Sequence, residues 1–187
     1  MRIVQLAALA AVLAASVAGA TPPPCSGAEH HQFDFWVGDW TVVRADNGKY
    51  AGQNRIESVL GGCALHENWV GAAGGKGNSY NAYDATRGVW HQTWVDSSGE
   101  LLVLEGKLTD GKMVLAGEQK GADGKPLINR ITWSPLPDGT VRQRWDVSTD
   151  GGKSWSASFD GIYSRRGAGG GGASGGPFEL RTLRGDI

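Results

Sequence analysis

Charge falls on alternate positions of Val141-Arg142-Gln143-Arg144-Trp145-Asp146-Val147, where Arg142, Arg144 and Asp146 interleave with Gln143 and Trp145. Period two marks a β-strand with one wet and one buried face. The charged set belongs outside, so Val141, Gln143, Trp145 and Val147 point inward. The same reasoning turns Trp90, Gln92 and Trp94 inward in the segment that starts at Val89, and Leu65, Glu67 and Trp69 inward in the one that starts at Ala64. In the last strand it sends Trp155, Ala157, Phe159 and Tyr163 in, and Ser156, Ser158 and Asp160 out. A bulge would flip part of any such strand.

Turn signals separate these runs at short intervals. Asn47-Gly48, Asp110-Gly111, Asp123-Gly124, Asp138-Gly139 and Asp150-Gly151 are hairpin dipeptides, and Ser98-Gly99 is a further turn. Glycine after Asn or Asp supplies the positive φ that tight hairpins require. Between the turns lie Val, Ile, Thr, Trp and Tyr, which suit a pleated surface. The spacing predicts ten strands: Trp40–Ala45, Gln53–Leu60, Ala64–Val70, Ser79–Asp84, Val89–Asp96, Leu101–Leu108, Lys112–Lys120, Leu127–Trp133, Thr140–Ser148 and Ser154–Arg165. No long helical period interrupts them. The fold class is therefore all-β, an antiparallel up-and-down barrel of roughly 8–10 strands, with a sandwich as the alternative.

The ends of the chain read differently. Residues 1–20 form a signal peptide: Arg2 gives a positive start, Ile3 to Leu13 is apolar, and Ala18-Gly19-Ala20 is a small-x-small cleavage site. Ser16, Gly19 and the prolines at 22–24 argue against a transmembrane anchor, and Pro24 before Cys25 argues against lipidation there. Residues 21–32 form an N-terminal segment, 33–166 the barrel domain, 167–177 a Gly-rich linker with nothing to bury, and 178–187 a flexible tail. Arg184-Gly185-Asp186 in that tail is a chance match to an adhesion tripeptide. The expected location is the periplasm or the exterior.

Export gives the two cysteines a meaning. An oxidising compartment favours pairing Cys25 with Cys63. Acid and base nearly cancel, 19 Asp and Glu against 18 Lys and Arg, so nothing points to nucleic acid or an anionic membrane as partner. All eight tryptophans lie between Trp36 and Trp155, which locates the core.

Two motifs carry resemblances. Ser148-Thr149-Asp150-Gly151-Gly152-Lys153-Ser154-Trp155 resembles the Asp-box of sialidases, a hairpin in which Asp holds backbone amides and Trp packs beneath. One copy makes a tight turn, not a propeller. Gly38-Asp39-Trp40, after an aromatic lead-in, resembles the G-x-W signature of calycin barrels such as lipocalins. The block Phe33-Asp34-Phe35-Trp36-Val37-Gly38-Asp39-Trp40 is similar to the opening of an exported bacterial family of unknown function. Asn81-Ala82-Tyr83-Asp84, Trp90-His91-Gln92-Thr93-Trp94-Val95-Asp96 and Val141-Arg142-Gln143 extend the likeness, from roughly Phe33 to Arg165. The resemblance implies a lipocalin-like barrel and no particular activity. Nitrobindins are haem-binding barrels of related shape that hold iron through a late histidine. No histidine follows His91, so no haem and no other cofactor is expected.

The site follows from the inward phase. Trp69, Trp90, Trp94 and Trp145 line the interior together with Glu67, Asn81, Gln92 and Gln143. Unpaired polar groups inside a barrel cost about 1–3 kcal/mol each, so these bond each other, water or a ligand. The leading expectation is a cavity for a small apolar or amphipathic molecule. One alternative is a filled barrel acting as a structural or interaction module. The other is an enzyme, an isomerase, cyclase or hydrolase, using a desolvated Glu67 as acid or base. His66 and His91 fall on the outer phase and His30 and His31 precede the first strand, so no metal site is expected.

Overall fold

The structure, a computed structural model, describes residues 22–121 and 123–167. The stretches expected to be a signal peptide (1–20) and a tail (178–187), and all of the expected linker except Gly167, lie outside the described residues.

Ten strands follow in sequence: β1 Gly38–Arg44, β2 Tyr50–Val59, β3 Ala64–Gly71, β4 Lys76–Asp84, β5 Val89–Asp96, β6 Leu101–Thr109, β7 Lys112–Lys120, β8 Pro126–Pro135, β9 Val141–Ser148 and β10 Ser156–Arg165. Each pairs antiparallel with its sequence neighbours, and β10 returns to β1 with Trp40 opposite Arg165 and Arg44 opposite Gly161. The sheet is a closed up-and-down barrel with no exposed edge, an architecture compatible with a lipocalin-like fold. The six turn glycines, Gly48, Gly99, Gly111, Gly124, Gly139 and Gly151, all adopt positive φ.

One end is plugged by the segment before β1. Short 3₁₀ turns at Ala28–His31 and Asp34–Trp36 bring Phe33 and Trp36 under the barrel. Phe33 stacks on Trp36 at 4.9 Å and meets Trp133 and Trp90 edge-on at 5.1 and 5.6 Å. Trp40 Nε1 donates to the Trp36 carbonyl at 2.9 Å, and Trp90 Nε1 donates to Gln32 Oε1 at 3.2 Å. Trp36 and Trp133 leave their indole N–H groups without partners among the described residues. Each such group costs about 1–3 kcal/mol, but burying about 200 Å² of ring is worth about 5 kcal/mol, so packing wins.

Two links hold the plug in place. Arg165 lies over the Trp40 ring at 4.5 Å and donates to the Val37 carbonyl at 3.1 Å. The Cys25–Cys63 disulfide ties the plug segment to the start of β3. A disulfide of this kind points to a non-cytoplasmic environment.

The last strand departs from simple alternation. A register shift between Ala157 and Phe159 makes Ser158 an extra residue. Phe159 and Tyr163 pair with Trp145 and Val141 and face inward, whereas Ala157 pairs with Asp146 and faces out. Trp155, expected inside, instead packs under the Arg130 guanidinium at 3.8 Å on the outer surface, with its N–H on the Gly152 carbonyl. The bulge reverses the phase above Phe159, so the inward expectation for Trp155 and Ala157 is corrected. Asp146 is on the outer face as expected, yet it is buried there beneath Arg144 and Arg130.

The turn before β10 has the hydrogen bonding its motif implies. Asp150 Oδ1 accepts from the backbone amides of Lys153 and Ser154, both at 2.9 Å, and Ser148 Oγ accepts from the Gly152 amide. The Ser154 hydroxyl, which donates to Asp150 Oδ2 at 2.6 Å, does most to hold the Asp150 carboxyl down at about 2, helped by the Ser154 amide and the Ser148 hydroxyl. Elsewhere the outer face carries ion pairs, Arg142 with Asp160 and Arg87 with Glu105. No helix among the described residues is long and apolar enough to cross a membrane.

Replacing Cys25 and Cys63 by serine is expected to lower unfolding free energy by about 4 kcal/mol, the loop-closure value for this span. Urea denaturation of the oxidised chain and the double variant measures it; equal midpoints would contradict a structural role for the bridge.

Candidate functional site

The inward residues fall into three tiers along the barrel. β3, β5 and β9 begin at the plugged end and run to the open end, so Leu65, Trp90 and Val141 lie near the plug. Glu67, Gln92 and Gln143 come next, and Trp69, Trp94 and Trp145 follow. The middle tier is polar. Asn54 Nδ2 donates to Glu67 Oε1 at 2.6 Å, and Ser79 Oγ donates to Glu67 Oε2 at 2.6 Å. Ser79 Oγ in turn accepts from Asn81 Nδ2 at 2.9 Å, and Asn81 Oδ1 accepts from Gln92 Nε2 at 2.7 Å. Across the barrel the Tyr163 hydroxyl donates to Gln143 Oε1, and Trp145 Nε1 donates to Asn129 Oδ1 at 2.9 Å.

Register brings the group on Glu67 together. Ser79 stands directly opposite it on β4, while Asn54 of β2 reaches it diagonally from its place beside Trp69. Two buried amide atoms, Asn54 Oδ1 beside Glu67 and Asn129 Nδ2 beside Trp145, have no partner among the described residues.

Above the polar tier is a cavity of about 260 Å³. Its floor includes Glu67, Gln92, Gln143 and Tyr163; its walls include Trp69, Trp94, Trp145 and Phe159. Leu102, paired with Trp94, and Ile131, paired with Trp145, complete the apolar lining, and the bulged Ser158 joins it. The volume is slightly below the range of about 300–1,000 Å³ common for drug-sized ligands, which fits a small occupant.

Glycines seat the rings. A Cβ on Gly77 would lie 2.1 Å from the Trp94 ring, and one on Gly52 would lie 2.7 Å from the Trp69 ring. A Cβ on Gly161 would meet the Phe159 ring at 2.7 Å. Each aromatic side chain therefore leans onto a neighbour that lacks a side chain, and the space left above the polar tier is the cavity.

Burial dominates the electrostatics. It pushes the Glu67 carboxyl up to about 7, against the opposing hydrogen bonds from Ser79 and Asn54. Burial, with the Glu67 charge nearby, pushes the Tyr163 phenol well above its ordinary range. Both shifts follow from enclosure without a compensating cation: among the described residues Glu67 has no ion-pair partner, and no basic side chain lines the cavity.

Of the residues singled out in the sequence, Glu67, Trp69, Gln92, Trp94, Gln143 and Trp145 line the cavity. Asn81 stands opposite Gln92, is buried, and is not part of the cavity lining. Trp90 belongs to the plug, against Phe33 and Tyr83. Alternation did not single out Asn54, Ser79 or Asn129, although each shares the inward phase of its strand. His66 stacks on Tyr80 and His91 bonds Glu105, both outside the barrel. His31 bonds Asp34 at 2.8 Å, and His30 meets Tyr83 edge-on. No group of three or more His, Cys, Asp or Glu is placed to hold a metal among the described residues.

Because the folded pKa of Glu67 lies above its unfolded value of 4.5, ionisation destabilises the fold. Below about 4.5 the carboxyl is protonated in both states; between about 4.5 and 7 the unfolded chain binds fewer protons, and stability falls as pH rises, by about 3 kcal/mol in all. Glu67→Gln removes this slope because an amide does not titrate, and the Asn54 amide can turn its unpartnered Oδ1 toward the new side chain. The stability gap between Glu67→Gln and the parent chain is expected to open across that window in urea titrations; a constant gap would contradict the buried carboxyl.

Gly77→Ala is expected to displace the Trp94 ring and cost about 1–3 kcal/mol, since the backbone itself tolerates alanine there. Thermal unfolding and the near-ultraviolet dichroism of the tryptophans report it together; an unchanged spectrum would show that the ring does not rest on Gly77.

Compared with protein-family models and with curated proteins, the chain matches none.

Proposed function

We propose that this protein is an exported, lipocalin-like carrier that binds one small apolar or amphipathic molecule in the cavity above Glu67. The observation that supports this most is the shape of the interior: three tryptophans and a phenylalanine enclose about 260 Å³ over a floor of buried polar groups. Apolar walls supply burial and the few polar atoms fix orientation, the usual division in small-molecule sites. A filled barrel would leave no such space. Export rests on the leader-like residues 1–20 and agrees with the disulfide. The opening from Phe33 to Trp40 supports kinship with the exported family it resembles.

A second reading, an acid/base enzyme, is favoured by one fact: the Glu67 carboxyl exchanges its proton near neutrality. The hydroxyl bonded to it, Ser79, is 1 % exposed and is not part of the cavity lining, so it is not presented as a nucleophile. The carrier reading accounts for the aromatic walls as well as the carboxyl.

N-phenyl-1-naphthylamine, a neutral dye that brightens in apolar sites, tests the carrier reading. Its fluorescence is expected to rise with the parent chain and to fall by about tenfold in apparent affinity with Ile131→Phe, which fills the cavity wall. Native mass spectrometry of protein taken from its own compartment is expected to show a bound mass that leaves on denaturation. Undiminished dye binding by Ile131→Phe would place binding elsewhere and overturn the proposal.

A further inference from the structure

The hydrogen bonds around Glu67 have a direction. Gln92 donates to Asn81, Asn81 donates to Ser79, and Ser79 donates to the carboxyl; Asn54 donates to its other oxygen. Every link ends on Glu67 as acceptor, which suits the ionised form. Each carboxylate oxygen accepts one such bond, and a carboxylate has acceptor sites to spare. Those spare sites adjoin the cavity, where Glu67 is part of the floor. Donors of this kind are all neutral, and they do not cancel a charge that is 4 % exposed. The rings beside it have electron-rich faces that attract cations and repel anions.

Resting on the carrier reading above, we propose that the natural occupant is a small organic cation, a protonated amine or quaternary ammonium on an apolar body. Its charged nitrogen sits between the Glu67 carboxylate and the rings of Trp69, Trp94, Trp145 and Phe159, and its apolar part fills the space beside Leu102 and Ile131. An anionic ligand would meet a carboxylate with no basic side chain to offset it. A neutral ligand would leave that charge uncompensated or hold it protonated.

Affinity for such a cation depends on pH through Glu67. Among the described residues Tyr163 on β10 is the one other titratable group facing it, and its phenol stays neutral. The neighbours from β2, β4, β5 and β9 are Asn54, Ile56, Ser79, Asn81, Gln92 and Gln143, none of which titrates. Arg55, Glu57, His66, Tyr80, His91, Arg142, Arg144 and Asp160 on these strands face outward. Cation binding therefore strengthens as pH rises through the titration of Glu67 and fades below it.

Calorimetric titration with n-octylamine, n-octanol and octanoate, matched in chain and different in charge, tests the proposal. At about pH 8.5 octylammonium is expected to bind roughly tenfold tighter than octanol, with octanoate weakest. At about pH 5.5 the advantage over octanol is expected to shrink to within about twofold, as the carboxyl protonates. Glu67→Gln is expected to abolish the advantage at both pH values, and near-ultraviolet dichroism like that of the parent chain shows that the variant is folded. Octanol binding as tightly as octylammonium at the higher pH, or a cation preference that survives Glu67→Gln, overturns the cation assignment and leaves the carrier reading standing. No binding of any of the three overturns both.

Discussion

Closure of the ladder between β1 and β10 is the constraint on which the rest depends. Once ten strands form a ring, its girth is fixed, and every second residue is committed to one shared interior. Large rings then fit only where small residues face them. Trp69, Trp94 and Phe159 lie on Gly52, Gly77 and Gly161, and the remaining width becomes a cavity instead of a packed centre. At the other end the same width is too great for strand side chains alone, and the chain supplies Phe33 and Trp36 from outside the sheet. The disulfide and the Arg165 contacts hold that insert against the barrel.

Between plug and cavity sits a polar tier that an apolar barrel would not need for stability. Its cost is visible in Glu67, whose charge is disfavoured by enclosure and only partly restored by its donors. Such a tier defines strand register, because a one-residue slip of β3 would carry Glu67 to the outer surface and away from Ser79 and Asn54. It also gives the cavity a chemical polarity: hydrogen-bonding groups at the bottom and rings at the sides. The same residues set strand register and floor the cavity.

Much of this was legible in the chain. Alternation against Arg142, Arg144 and Asp146 oriented β9, and the same reasoning oriented β3 and β5, because charge on one face leaves a single solution. The cysteine pair followed from there being only two. Alternation tells which side a residue takes but not its height along the barrel, so Trp90 of the plug could not be separated from Trp94 of the cavity. It fails where the backbone gains a residue, as at Ser158, and nothing local in Ser156-Ala157-Ser158 announces the bulge. Asn54 and Ser79 carried a readable phase, since Arg55 and Glu57 flank Asn54 and Ile56, but their importance comes from register with Glu67, which pairs distant segments. The cavity itself depends on which rings lean on which glycines and is a property of the assembled barrel.

The distribution of indoles along the barrel has an optical consequence. Trp36, Trp40, Trp90 and Trp133 are sealed at the plugged end, Trp69, Trp94 and Trp145 surround the cavity, and Trp155 lies on the outer surface against Arg130. The emission spectrum is thus a superposition of a deeply shielded blue component, an intermediate component and a redder one. Collisional quenchers added to the solvent reach the last before the others, so time-resolved emission divides the barrel into its closed end, its mouth and its exterior without any added label.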